Sequence, residues 1–345
     1  VTPHFETSLN DKGRVRIDFQ SAQPIAISDV IKDGELLKAL SIGTVLDVEV
    51  LNKLSNLVWP TVKSYWKLHK LYSGLGYNRS PNQIQSNETF LNSLPDFEPP
   101  EQDNFSIDVS SLLKLGPLTA HRPRDPELYI SPLLIVPESP GCSPITPKSW
   151  IVRTPTAFSS SYYGFSGKGC NETDGTIEFL HLITHSELFR YYVLMTSSKM
   201  GAERRAFLKS NIENFPFPQI DQLLEPKRQQ AIALSKQLET APIKPWLEIN
   251  DFIFDLYGLD EYDRQVVRDT IEIAPPYKEA RERANNAPSK RERIAFHSEL
   301  QRLLAPSFAI TDETVSVDEV NFAQQDHVSP WYFFTVSTQI KPANL

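Results

Sequence analysis

Cysteine is scarce in this chain of 345 residues: Cys142 and Cys170 are the two present. Neither has Cys or His neighbours at zinc spacing, which excludes a thiolate metal module, and one bridge would not make a disulfide scaffold. Long apolar runs are missing too. No stretch approaches the roughly 18 apolar residues that span a bilayer, and no charged segment followed by an apolar one marks a leader. The expectation is a cytoplasmic protein with no membrane partner. Glycine is limited to 13 residues, clustered at Gly74-Leu-Gly76 and Gly164-Phe-Ser-Gly-Lys-Gly169. Neither cluster follows a buried strand and opens a helix, so both read as loop glycines at positive φ rather than a phosphate or cofactor cradle. The chain opens on Val1 rather than Met, and few residues follow its last strand-like run, Trp331 to Ser337. It reads as a piece of a longer protein.

What is present is an ordinary globular composition, 40% hydrophobic and 23% charged, in a chain long enough for two or three packed units. The net charge of −8 weighs against a nucleic-acid partner, because phosphate contacts need Lys and Arg. Its distribution is uneven. From Lys114 to Lys209 there are eleven Lys or Arg against eight Asp or Glu, so the middle is the stretch suited to face phosphate.

Helical periodicity runs over residues 28 to 72, through Val30, Leu36, Leu40, Val50, Leu54, Tyr65 and Trp66, and ends at Gly74 and Gly76. Residues 77–106, rich in Asn, Ser, Pro and Gln, read as a connection. Between about 107 and 165 short strands broken by proline appear: Tyr129-Ile130, Leu133 to Val136, Trp150 to Arg153 and Ala157-Phe158. Prolines confine these to edges, strand starts and loops of a mixed or antiparallel sheet. From Thr176, with Asp174 as N-cap, the pattern turns helical through Leu194, and further helices are expected at about 225–240, 246–257, 261–272, 277–286 and 290–304. The expected class is α+β, with a helical N-terminal segment and linker (1–106), a mixed-sheet domain (107–220) and a helical C-terminal region with a terminal strand (221–345).

No catalytic motif stands up. Ala274-Pro-Pro-Tyr277 has the Pro-Pro-aromatic of an adenine methyltransferase, but a methyl group at position 274 cannot accept a hydrogen bond from a target amino group. His181 and His185 share a helix face without the glutamate or third ligand of a zinc hydrolase, so packing or surface histidines are expected. Neither a nuclease carboxylate set nor a nucleophile elbow is present.

Arg122-Pro-Arg124, Tyr129-Ile-Ser-Pro132, Leu133 to Val136, Phe179-Leu-His-Leu-Ile183, Tyr191-Tyr192 and Phe215-Pro-Phe-Pro218 follow one another in an order that resembles the region downstream of the catalytic domain in adenine-specific DNA methyltransferases of type I and type IIG restriction-modification systems. Where many of those proteins read leucine, leucine, asparagine, serine, this chain has Leu182-Ile-Thr-His-Ser186. Asn250 to Leu259, followed by Asp260-Glu-Tyr-Asp263, is similar to a helix of that family ending in Leu-Tyr-Gly-Leu. The resemblance covers about Arg122 to Val267. It implies a target-recognition domain that reads double-stranded DNA through loops, and helices that pack on it or on a methyltransferase domain. The catalytic domain, with its S-adenosylmethionine, would lie in cis or on another subunit, so this chain alone would hold no cofactor.

The residues suited to that role fall in three groups. Tyr162, Tyr163 and Lys168 lie in a polar, aromatic stretch between strand and helix, which serves either as a reading loop or as a structured loop with a ring buried. Lys199, Arg204, Arg205 and Lys209 form a cluster that clamps phosphate or is a solvated helix face. Arg122 and Arg124 flank Pro123, projecting towards a groove or pairing with Asp125 and Glu127. The rival to DNA recognition is a helical module that holds another protein, which the acidic remainder of the chain favours.

Overall fold

The computed structural model describes residues 2–4, 18–23, 26–32, 36–78, 89–100, 104–113, 122–139, 148–170, 174–200, 206–273, 289–309, 313–320 and 334–340. The protein is α+β, and it divides into two compact units, Val1–Pro276 and Tyr277–Leu345.

The first unit opens with the antiparallel pair β1 (Thr2–His4) and β2 (Asp18–Gln23), then α1 (Ile27–Lys32), α2 (Leu36–Ile42), α3 (Val45–Ser55) and α4 (Val62–Leu68). Helix α3 begins with a capping box: the Thr44 hydroxyl accepts from the helix backbone and Asp47 accepts from the Thr44 amide at 2.6 Å. Asp47 is buried, and its other oxygen accepts from the Thr270 hydroxyl at 2.6 Å. That bond spans 223 residues of sequence and ties the N-terminal helices to α10 (Glu261–Ile273). Nearby, Lys53 meets both carboxylate oxygens of buried Asp263 at 2.6 and 2.7 Å.

The central sheet contains β3 (Ser73–Leu75), β4 (Leu133–Pro137), β5 (Trp150–Val152) and β6 (Tyr162–Ser166), ordered β3-β6-β4-β5 with every pair antiparallel. Two of these strands differ from the sequence expectation. Residues 73–75, expected to end a helix, are an edge strand, and the polar stretch after Ser159 supplies the central strand β6. The reason is a glycine pair. Gly74 and Gly164 are direct cross-strand partners, and a Cβ on Gly164 would come within 2.2 Å of the Phe158 ring. The clusters that read as loop glycines thus form a slot in the sheet that takes Phe158 and, over Gly74, Leu128. Only Gly169 of the two clusters has a positive φ. Tyr129, expected in a strand, closes a 3-10 turn at Pro126–Tyr129, and Ala157 makes an isolated bridge to Asp96.

Behind the sheet lie α5 (Thr176–His185) and α6 (Glu187–Thr196). All ten residues of α5 are buried, consistent with a helix that is apolar nearly all round and packed against β4, β5, α6, α8 (Glu225–Thr240) and α9 (Trp246–Leu256). The periodicity reads as one helix, but Ser186 breaks it: its backbone is extended and its hydroxyl accepts from the Phe189 amide at 3.1 Å, which starts α6 afresh. The N-cap of α5 is Gly175 at φ 74°, not Asp174. A short helix, α7 (Lys209–Glu213), follows, and α8, α9 and α10 match their expected spans within a residue or two. Gly258 takes the left-handed conformation at φ 68°, and Leu259 N–H bonds back to the Phe254 carbonyl at 3.0 Å, the helix termination expected there.

The second unit packs α11 (Lys290–Ala309) on an antiparallel hairpin of β7 (Glu313–Glu319) and β8 (Phe334–Ile340). Arg293 lies 3.0 Å from Glu319, and Phe296 and His297 both meet the Phe334 ring. The expected helix at 277–286 and the first residues of the expected strand, 331–333, lie outside the described residues. Among the described residues no helix is long and apolar enough to cross a membrane.

Candidate nucleic-acid interface

Segment 122–130 runs along β3 and sets the positions of four candidate residues. At the end of the sheet where β3 finishes and β6 begins, the Gly76 amide donates to the Tyr162 carbonyl at 3.1 Å, and Arg124 Nε donates to the Gly76 carbonyl at 3.1 Å. Arg122 is exposed, and its backbone exchanges bonds with Asn78. Arg124 has a left-handed backbone, φ 73°, a conformation that disfavours any side chain with a Cβ. It is held there from both sides. Asp125 accepts from the Glu127 amide at 2.9 Å, opening the 3-10 turn, and the Tyr129 hydroxyl donates to the Pro123 carbonyl at 2.7 Å. The expected pairing of these arginines with Asp125 and Glu127 does not form, because Asp125 caps the turn and Glu127 turns to Lys168.

Lys199 comes to the same end of the sheet: its ammonium lies 2.8 Å from Glu138, whose amide bonds the Ser161 carbonyl just before β6. Lys168 sits past the opposite end of β6 and pairs with Glu127 at 2.7 Å. That bond holds the lysine above its ordinary pKa and the glutamate below its own. Lys209, the first residue of α7, meets Glu213 at 2.8 Å and the Ser73 carbonyl at 3.5 Å. Arg204 and Arg205 lie outside the described residues, so their helical spacing to Lys209 does too.

The two tyrosines part company because neighbouring strand residues face opposite sides. Tyr163 is buried, 4% exposed, and its hydroxyl donates to the Phe207 carbonyl at 3.0 Å; burial pushes its pKa up to about 12. It is a packing residue, the buried alternative for this stretch. Tyr162 is half-buried with its ring edge-on to Phe97, and burial raises its pKa as well.

The fold therefore brings Arg122, Arg124, Tyr162 and Lys199 to one end of the sheet and leaves Lys168 and Lys209 towards the other. Lys168, Lys199 and Lys209 are each matched by a glutamate. Arg124 differs: among the described residues its guanidinium is anchored through Nε alone, and neither it nor Arg122 is within ion-pair distance of a carboxylate. Gly76 and Asn78, which position the arginines, carry no signal in the sequence, since 48 residues separate Gly76 from Arg124. His181 and His185 are buried in α5, and among the described residues no group of three or more potential ligands could hold a metal ion. Cys170 is a free, half-buried thiol whose pKa burial raises. No protein-family model matches the chain, and no curated protein matches it.

Proposed function

We propose that this chain is the duplex-DNA-recognition portion of an adenine-N6 DNA methyltransferase or restriction-modification protein, with the S-adenosylmethionine-dependent catalytic domain in cis or on a separate subunit. The observation that carries this reading is Arg124. A strained, left-handed arginine persists only where its surroundings over-determine it, and such residues concentrate at binding sites. Anchoring through Nε orients the guanidinium and leaves its two terminal nitrogens, the fork that bonds phosphate or guanine in a bidentate way. Exposed Arg122 lies two residues away, suited to an adjacent phosphate, and the half-buried Tyr162 ring flanks the pair.

Anisotropy titrations against mixed duplexes between about 50 and 200 mM salt test it. Arg122→Glu should weaken binding to every duplex alike and flatten the slope of log K against log salt by about 0.9 for each phosphate that the arginine neutralises. Arg124→Lys, which keeps the charge but removes the planar fork, should narrow the difference between preferred and random duplexes. Absence of duplex binding by the wild type at low salt would sink the proposal. It would favour the second reading, a helical module that holds another protein, which the glutamate-matched lysines 168, 199 and 209 support.

A further inference from the structure

His181 and His185 stand one turn apart on α5, 0% and 4% exposed, with their rings edge-to-face and centroids 4.8 Å apart. One nitrogen of each is engaged. His181 Nδ1 lies 2.9 Å from the Ser235 hydroxyl on α8, and His185 Nε2 lies 3.1 Å from the amide nitrogen of Ser149, just before β5. The other two nitrogens, His181 Nε2 and His185 Nδ1, are buried with no hydrogen-bond partner among the described residues. With the Ser149 amide donating to Nε2, a neutral His185 carries its proton on Nδ1; with His181 donating through Nδ1 to Ser235, its Nε2 is a bare acceptor. The neutral pair thus holds one spare donor and one spare acceptor a turn apart, which can satisfy each other directly or through one water. An added proton removes the acceptor and leaves a charge with nothing to receive it.

The surroundings oppose that charge from every side. Lys148, before β5, and Lys244, before α9, act on His185, and Arg153, after β5, acts on His181. The carboxylate close by is Glu239 on α8, and it is committed to Arg153 through a bidentate contact at 2.6 and 3.0 Å. Phe105 and Trp246 close the remaining space against the His185 ring at 4.5 and 5.9 Å. Burial, the largest cause, holds His181 well below its ordinary pKa and His185 down to about 3.

We propose that the His181–His185 pair is an acid-sensitive latch: neutral, it fastens α8 and the entry to β5 onto α5, and protonation releases α8 and α9 from the sheet side of the unit. The sign follows from where the protons bind. Between about pH 6.5 and pH 3 the opened state takes up protons that the closed state refuses, so the closed state is favoured above that window and loses ground as pH falls through it. Each pH unit below about 6.5 should favour opening roughly tenfold per histidine.

Hydrogen exchange of the full chain, read by mass spectrometry from pH 7.5 to 4.5 with intrinsic rates corrected for pH, tests the latch. Peptides from 225–256 should lose protection steeply with acid, ahead of peptides from 133–166, and His181→Gln with His185→Gln should flatten that dependence. Because the double variant puts two amides in a buried site and is at risk of not folding, histidine NMR of the wild type is the second measurement. Both rings should stay neutral in the folded protein down to the opening transition, with His185 protonated on Nδ1. Titration of either ring near pH 6.5 in the folded state, or a loss of protection that is uniform over 133–273, would overturn the proposal.

Discussion

The two units contain sheets built on opposite principles. In the first, β4 reads Leu133-Leu-Ile-Val-Pro137 and every residue is buried, because helices cover one face and the 122–130 and 157–158 segments the other. In the second, β7 reads Glu313-Thr-Val-Ser-Val-Asp-Glu319 and buries Val315 and Val317 while its alternate residues stay wet, with α11 on one face. A continuous apolar run marks a strand covered on both sides, and strict alternation marks one covered on a single side. Strand pattern therefore reports how many layers cover a sheet, and not merely that a strand exists.

Substitutions sharpen the contrast. The largest effect is expected for Ile135→Ala in β4, a fully buried site, which should cost about 2–5 kcal/mol in urea unfolding, the range for buried aliphatic truncation. A cost under about 1 kcal/mol would show that the double covering is loosely packed. Gly164→Ala tests the slot itself. Its new methyl would meet the buried Phe158 ring, so a destabilisation of roughly 1–3 kcal/mol is expected from overpacking, and the further change Phe158→Leu should recover part of it. Should Gly164→Ala prove neutral, the slot is not tightly filled. The smallest effect belongs to the one-sided sheet: Val317→Ala, removing about two methylene equivalents, should cost about 1.5 kcal/mol. An effect equal to that at Ile135 would erase the distinction between the two sheets.

The same contrast explains what was legible in the sequence. Amphipathic helices with charged outer faces declared themselves, so α8, α9 and α10 were readable nearly to the residue, as was the glycine stop at Gly258. Strands β3 and β6 were not. Gly74, Gly164, Ser160 and Tyr162 have loop composition, and only the long-range pairing of one glycine with another turns them into a sheet with a pocket for an aromatic ring. The break between α5 and α6 was hidden because Ser186 interrupts an apolar stripe without changing its hydrophobicity. At the candidate interface, spacing alone suggested that Tyr162 and Tyr163 act together, whereas strand alternation sends one inwards. The glutamate partners of Lys168 and Lys199 lie 41 and 61 residues away, a distance over which charge patterns carry no pairing information. Lys209 and Glu213, four apart on one helix, were the pair that local geometry could supply.

The left-handed turn at Arg124 pulls selection at that position in two directions. Glycine would relax the backbone there, and an L-residue in this conformation costs the fold roughly 1–2 kcal/mol. A lineage judged on folding alone would drift towards glycine or asparagine at residue 124, so an arginine retained there marks a trait held against the preference of the chain that carries it.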